Sequence, residues 1–436
     1  MDKMSVRQWK RYEAMERIGR GELTVGQAAQ VLGLSARQVR RLRRAVTKGR
    51  EQGVVHGNTG RAPANRLVES VRGRIVELRR KKYEGFNDHH FTEKLVEVEG
   101  VKVSRPTVQR VLRGAGIGPP RKRRPVRHRR RRERKAQAGL MVLWDGSRHD
   151  WLEGRGPMLC LMGSLDDASG ELLAGAHFVE QECAAGYLAV LKAIAEAKGL
   201  PWSAYMDRHG SLRRNDEHWT LEEELRGEQD PTQVGRALKS LEIEVIYALS
   251  PQAKGRVERL WGTLQDRLVS ELRLAGASTA AEANAVLDER FRPDYNRRFA
   301  VSPVNPSSAW RTVRRGTDLD RVCSFYYEAT VLNDNTVRVG GVVVIDIPPG
   351  PRKRSYAKQR VEVRQLLDGS WRVYLGDALI ATAVPTTTGE LRALRRGRRH
   401  PNATAAGKTP VALRAPSVSP AEVLTSNQGR TESLSC

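Results

Sequence analysis

Leu140-Met141-Val142-Leu143-Trp144-Asp145 is the stretch whose reading decides the fold. It is an apolar run that ends in a carboxylate, and it opens a change of pattern. Downstream, candidate strands cover 140–144, 158–165 and 172–178, a helix fits 185–197, and a strand fits 203–206. A second helix fits 232–241 and a strand fits 243–248, before long helical patterns over 253–274 and 280–299. The order βββ-α-β-α-β-α predicts an α/β core, a mixed sheet covered by helices. Residues 208–231 read as a polar insert.

Two further acids share the setting of Asp145. Asp207 ends the short run Ala204-Tyr205-Met206, and Glu258 lies in Ser250-Pro251-Gln252-Ala253-Lys254-Gly255-Arg256-Val257-Glu258-Arg259 at the start of the first long helix. Two strand ends and a helix can bring three carboxylates to one point. Convergent carboxylates hold hard divalent cations, and Mg²⁺ takes few protein ligands plus substrate phosphate oxygens. The pattern predicts metal-assisted phosphoryl transfer on a polyanion. Other acids have plainer readings. Asp166 and Asp167 also follow a strand, but Asp166-Asp167-Ala168-Ser169-Gly170 is turn chemistry. Asp150 and Glu153 read as loop residues, and His209 as polar surface beside Asp207. An i,i+4 pair with Lys254 is the plain reading of Glu258. Val257, Leu260, Trp261, Leu264 and Leu268 mark the buried side of that helix, which places Glu258 near the boundary.

Upstream, charge names the polyanion. The formal net charge is +26, and residues 1–139 hold 37 Lys and Arg against 13 Asp and Glu. A basic half joined to a near-neutral half is the footprint of a nucleic-acid binder. Residues 22–44 carry Val25, Ala28, Ala29 and Leu32 at helical spacing, a break at Gly33, and a second helix capped by Ser35 with Val39 and Leu42 inward. Arg37, Gln38, Arg40, Arg41 and Arg44 lie on its outer face, which suits major-groove docking. A linker surrounds Pro63. A second helical unit follows, with Phe91–Val96 and a helix after Ser104 that turns Val108, Val111 and Leu112 inward. Residues 121–135, with Arg129, Arg130 and Arg131 at their centre, form an Arg-rich run without apolar periodicity, suited to sequence-blind phosphate binding.

Beyond the core, residues 325–384 are rich in β-branched and aromatic positions with turn signals at Asn333-Asp334-Asn335 and Leu367-Asp368-Gly369, which predicts a small barrel. From about Thr386 the composition is that of a disordered tail. Cys160, Cys183, Cys323 and Cys436 are scattered and imply neither a zinc site nor a disulfide framework. No apolar run reaches the roughly 18 residues of a membrane span, and the start carries no secretory signal.

The chain resembles the bacterial insertion-sequence transposases of the DDE type, most closely the ISNCY group. The resemblance rests on Trp144–Pro157, Leu165-Asp166-Asp167-Ala168-Ser169-Gly170, Met206-Asp207-Arg208-His209, Ser250–Glu258 and Asn296-Arg297-Arg298-Phe299. It implies a ribonuclease-H-like (retroviral integrase) catalytic core, with the first two acids on neighbouring strands and the third on a helix. The implied catalytic and metal-binding triad is Asp145, Asp207 and Glu258, with two Mg²⁺ (or Mn²⁺) ions. The implied activity is cleavage at insertion-sequence ends followed by strand transfer into target DNA. Gln252, Lys254, Arg256 and Arg259 would contact DNA around the scissile phosphate. The gap of 50 residues from Asp207 to Glu258 is longer than in many integrase relatives, and the polar insert accounts for it.

The expected organisation is therefore an all-α helix-turn-helix domain at 1–60, a second helical DNA-binding domain at 61–120, an Arg-rich linker at 121–139, the core at 140–315, a β-barrel at 318–385 and a tail at 386–436. The expected partners are double-stranded DNA (terminal inverted repeats and target) and further copies of the chain in a synaptic complex, with no membrane, in the bacterial cytoplasm at the nucleoid. A helix-turn-helix regulator, an inactive relic or a nuclease of the same fold without joining activity are the alternatives.

Overall fold

The computed structural model describes residues 4–56, 58–59, 66–120, 132–214, 219–248, 255–391, 413–415 and 417–418. The chain divides into two units, Met1–Arg74 and Ile75–Cys436. The first holds α1 (Val6–Gly19), α2 (Val25–Leu32) and α3 (Ala36–Gly49). Each begins at a reciprocal cap: Ser5 with Gln8, Thr24 with Gln27, and Ser35 with Gln38. The cap hydroxyl accepts from the glutamine's amide N–H, and the glutamine side chain accepts from the cap's own N–H, so two orphan donors are satisfied at once. Gly33 ends α2 at φ 62°, a left-handed conformation that turns the chain directly into α3. Ala14, Met15, Ile18, Ala28, Val39 and Val46 make the core, with Leu42 partly buried against it.

The second unit takes in the end of α4 (Glu69–Lys81), then α5 (Asp88–Glu97) and α6 (Arg105–Gly114). Its central layer is built from β1 (Met141–His149), β2 (Leu159–Asp166), β3 (His177–Val179), α7 (Ala184–Ala197), β4 (Ser203–Met206), α8 (Leu221–Arg226), α9 (Gln233–Ser240), β5 (Glu244–Tyr247), α10 (Gly255–Leu274), α11 (Ala280–Val286) and α12 (Arg292–Phe299). The strand order is β3-β2-β1-β4-β5. β1 pairs antiparallel with β2 and parallel with β4, and β4 pairs parallel with β5. Side chains alternate across β1, as a pleated strand requires. Val142 and Trp144 join the cluster under α7 and α9, whereas Met141 and Leu143 join the one under α10 to α12.

Four local readings change. The first strand does not stop at 144 but runs on to His149, paired with Leu159, so Asp145 lies within it. The third strand is shorter than 172–178, because Leu172 only bridges to Leu165 and regular pairing begins at His177. The polar insert contains α8, started by a capping box between Thr220 and Glu223. The long pattern over 280–299 is two helices joined by a π-helical turn, Leu287–Phe291. From these helices two asparagines reach the outer side of the sheet. Asn284 Oδ1 accepts from the Phe178 amide at 2.6 Å and Asn296 Oδ1 from the Leu172 amide at 2.8 Å. Asn296 Nδ2 also donates to the Leu172 carbonyl at 2.9 Å.

The helices from Ile75 fall in the same compact unit as the core, and charged side chains join them to it. Glu93 pairs with Arg267 of α10 at 2.7 Å and with Arg298 of α12 at 3.3 Å. His90 and Lys94 meet Glu271 at 2.6 and 2.7 Å. Arg267 is buried, and a buried guanidinium without its carboxylate is strongly destabilising. α5 therefore faces the core, while Arg105, Arg110 and Arg113 of α6 are exposed.

Beyond the core lie β6 (Phe325–Thr330), β7 (Thr336–Val339), β8 (Val343–Asp346), β9 (Arg360–Gln365), β10 (Trp371–Leu375), β11 (Ala378–Ala383), β12 (Leu413–Ala415) and β13 (Ser417–Val418). They form two sheets, β13-β11-β10-β9-β6 and β12-β8-β7, around Val337, Ile345, Val363, Trp371 and Val373. Part of the expected tail is built into this region. Besides β12 and β13, Trp371 Nε1 donates to Thr386 Oγ1 at 3.0 Å and the Leu391 amide to the Tyr327 hydroxyl at 2.9 Å. No described helix is long and apolar enough to cross a membrane.

Candidate active site

Asp145 lies within β1, and Asp207 follows the last residue of the neighbouring strand β4. Leu143 of β1 is in register with Tyr205 of β4, the last pair of that ladder before both acids, each two residues further on. Adjacent strands are about 4.8 Å apart, and both residues are half-buried at the edge of the apolar layer. Asp207 Oδ1 accepts from the His209 amide at 3.0 Å, a turn that bends the chain away after β4.

Glu258 stands on the first turn of α10 and is exposed. Trp261, three residues on, shares its helix face. The Trp261 indole Nε1 donates to Asp145 Oδ2 at 2.9 Å. A second bond follows one turn later, where Gln265 Nε2 reaches Ser147 Oγ at 3.3 Å. The helix that carries the third acid is thus tied to the strand that carries the first.

Two residues without a distinctive sequence signal complete the surroundings. Glu182 precedes α7, and its Oε1 accepts from the Tyr187 hydroxyl at 2.6 Å and lies 3.4 Å from His209 Nδ1. A Cβ on Gly146, next to Asp145, would sit 2.8 Å from Glu182 Oε2. Burial, then the charges of Glu182, Asp145 and Asp207, push the Tyr187 phenol well above its ordinary value, so it stays a proton donor. Burial, then Glu182 and Asp145, push the Cys160 thiol up to about 12, which keeps it neutral. Trp261 did carry a signal, its i+3 spacing from Glu258, but apolar periodicity alone reads it as core.

Three carboxylates are the right chemistry for a hard cation. Among the described residues, no group of three or more His, Cys, Asp or Glu side chains is gathered closely enough to hold one. Asp145 and Asp207 lie on neighbouring chain segments, both half-buried, and Glu258 is on the exposed side of its tethered helix.

The expected DNA contacts are spread. Arg37, Arg40, Arg41 and Arg44 are exposed along α3. Gln38 is exposed too, but its side-chain oxygen accepts from the Ser35 amide at 2.9 Å, so the cap holds it. Arg256 is engaged inside the unit, by the Asp167 carboxylate and the Arg132 carbonyl. That inward pairing argues against a phosphate contact for Arg256. Arg259 is exposed. Arg129, Arg130, Arg131, Gln252 and Lys254 lie outside the described residues.

No profile of a known protein family matches the chain. It is 39% identical over 315 residues to "Putative transposase y4bF" of Sinorhizobium fredii, covering 72% of this chain and 67% of that one. It belongs to the insertion-sequence transposases. The transposase is also 31% identical over 316 residues to the transposase for insertion sequence IS1202 of Streptococcus pneumoniae, covering 64% of this chain and 65% of that one. It thus spans about two thirds of the length of these relatives. Among solved structures, it is similar to a chain of the simian T-cell lymphotropic virus intasome at 14% identity and a TM-score of 0.28, covering 74% of the transposase and 100% of that chain. It is similar to the HTLV-2 integrase catalytic core domain in complex with magnesium at 17% identity and a TM-score of 0.23, covering 35% and 89%.

Proposed function

We propose that this transposase cuts DNA at the ends of its insertion sequence and joins the freed ends to target DNA. The observation that carries the reading is the Leu143–Tyr205 register of parallel β1 and β4, two residues before Asp145 and Asp207, with the helix of Glu258 tied to Asp145 through Trp261. Asp145, Asp207 and Glu258 would hold Mg²⁺ or Mn²⁺. When bound, such ions make an oxygen nucleophile available at neutral pH and stabilise the leaving oxygen of an in-line displacement. The chain's own residues orient the reacting carboxylates. The Trp261 indole fixes one oxygen of Asp145, and the His209 amide fixes one oxygen of Asp207.

The chemistry balances in two steps. Water attacks the phosphodiester at the element end, a new P–O bond forms as water gives up a proton, and the bond to the 3′ oxygen breaks, that oxygen taking up a proton to become a 3′-hydroxyl. That hydroxyl then attacks a target phosphodiester, so one P–O bond replaces another and the target's 3′ oxygen leaves. Recognition falls to Arg37, Arg40, Arg41 and Arg44 on α3, which suit a major groove, and to the Arg-rich stretch with Arg129, Arg130 and Arg131, which suits phosphates. The exposed arginines of α6 offer a second contact face. Arg259, exposed one residue after Glu258, is placed to meet DNA beside the cut. Pairing two ends calls for more than one copy of the chain, and the work belongs where the bacterial chromosome is.

The test is a labelled duplex carrying the DNA that flanks the coding region, incubated with the protein and Mg²⁺. Nicking at the repeat boundary plus joined products supports the proposal. Nicking without joined products would leave a nuclease, and binding without nicking a regulator.

A further inference from the structure

Asp166 and Asp167 are adjacent and both fully buried, yet they serve different neighbours. Asp166 completes its own turn. Its carboxylate accepts from the Ser169 amide at 2.8 Å, the Ser169 hydroxyl at 2.9 Å and the Gly139 amide at 2.9 Å. The Asp167 carboxylate makes none of its described hydrogen bonds within that turn. It accepts from Arg132 Nη2 at 2.5 Å, Arg132 Nη1 at 3.2 Å, the Lys135 amide at 2.8 Å, and the Arg256 guanidinium. Arg256 Nη2 also donates to the Arg132 carbonyl. A buried carboxylate is costly to place, and the turn does not need this one. What it joins is the end of the Arg-rich stretch and the second residue of α10.

The consequence lies in the rotation of that helix. Arg256 and Trp261 are five residues apart, about 140° around the axis at 100° per residue. One anchors α10 to the turn after β2 and the other to Asp145 on β1. A helix held on two faces resists rolling, and the direction of Glu258, about 60° from Trp261, is fixed with it. With Arg256 released, the first turn keeps its apolar contacts through Val257, Leu260 and Trp261 but loses the polar anchor on its other flank.

We propose that Asp167 is a positioning residue, fixing the rotation of α10 through Arg256 and with it the direction in which Glu258 is presented, while the same carboxylate seats the end of the Arg-rich stretch through Arg132. This rests on the reading of Asp145, Asp207 and Glu258 as one site. Asp167 has two guanidiniums, so Arg132 can move to a phosphate without leaving the buried carboxylate unpaired.

The experiment uses the full chain, with Asp167→Asn, Arg256→Gln and Arg256→Lys. Three quantities are read: hydrogen–deuterium exchange, Mn²⁺ binding by calorimetry, and cleavage kinetics on the end-bearing duplex. In Asp167→Asn and Arg256→Gln, exchange over residues 255–262 should rise about tenfold while α7 and α12 stay protected. Mn²⁺ affinity should fall several-fold. The cleavage rate at saturating DNA should drop about 10²-fold, the cost of a misplacement near 1 Å, with KM little changed. Arg256→Lys, which keeps the charge, should recover part of each. Should Asp167→Asn not fold, Arg256→Gln carries the test. Unchanged exchange and Mn²⁺ affinity in a folded variant would overturn the proposal, and so would exchange rising equally throughout the second unit. A wild-type protein that neither binds Mn²⁺ nor cuts would instead sink the three-carboxylate reading on which the proposal stands.

Discussion

Asp145, midway along β1, with Asp207, just past β4, and Asp166, the last residue of β2, with Asp167 are two pairs of acids on one sheet, and they live in opposite conditions. The first pair is half-buried and meets a neutral indole and a backbone amide. The second pair is fully buried, with backbone amides on one carboxylate and two guanidiniums on the other. A carboxylate enclosed by fixed donors is already neutralised by the protein. One at the rim of the core, with a neutral indole or a backbone amide among its partners, keeps closer access to solvent. On the proposed function, that difference separates structural from chemical acids where sequence position does not.

The largest effect should come from the first pair. Asp145→Asn and Asp207→Asn are each expected to lower cleavage and joining by on the order of 10³-fold or more, with DNA affinity retained in a mobility-shift titration. Their thermal midpoints should move little. If either variant cuts at the wild-type rate, the two pairs have been assigned the wrong way round.

The second pair should show the reverse balance. Asp166→Ala strands the Gly139 amide and the Ser169 donors inside the fold, and should cost about 2–4 kcal/mol in urea unfolding. A loss under about 0.5 kcal/mol would mean that water replaces the carboxylate and the enclosure is not structural. Arg267→Ala probes the same principle at the seam between α5 and α10. Removing a buried cation from Glu93 should cost about 3 kcal/mol and raise hydrogen exchange across residues 88–114 before the sheet.

Recognition should break more gently. Arg40→Ala and Arg44→Ala should each weaken DNA binding and reduce the slope of log affinity against log salt by about 0.9 per lost phosphate contact, with cleavage unchanged once DNA saturates. A slope that does not move would remove α3 from the phosphate count.

The smallest effects are in pH. Burial works to raise the carboxyls of Glu93, Asp167 and Glu271, but Arg267, Arg132, and His90 with Lys94, hold each below its ordinary value. Their folded-state pKa values are depressed, so their stabilisation is complete above the ordinary carboxylate range and is lost as pH falls below about 4. His90 behaves differently. Burial lowers its pKa below the ordinary 6.5 despite Glu271, so the unfolded chain takes up its proton first and stability declines as pH falls from about 6.5. Urea midpoints from pH 7 to 3 should show both declines, and His90→Gln should flatten the upper one. An unchanged upper limb would mean that His90 is not the group responsible.

Much of this was legible in the sequence, for identifiable reasons. The run 140–145 and the alternation after it declare strands because apolar periodicity is local. The three caps of the first unit can be read from Ser or Thr followed three residues later by Gln. What the sequence hides is pairing across distance. Nothing local to Arg256 distinguishes a phosphate contact from a partner of Asp167, 89 residues away. Glu182 is one acid among several before α7, and only the folded chain sets it against Gly146 and Tyr187. The docking of α5 is hidden likewise, because alternating charge on a helix usually means solvent, and here it means Arg267 and Glu271.

The two asparagines on α11 and α12 carry a separate consequence. An open sheet ends in a row of vacant amides and carbonyls, the template on which copies of a chain stack into aggregates or trade strands. Asn284 and Asn296 set primary amides against Phe178 and Leu172, copying the donor and acceptor of a peptide unit at both places. Helices thereby stand in for a missing strand, and that margin is sealed against strand exchange. If copies of the chain assemble on DNA as proposed, they can then do so through chosen surfaces instead of an accidental one.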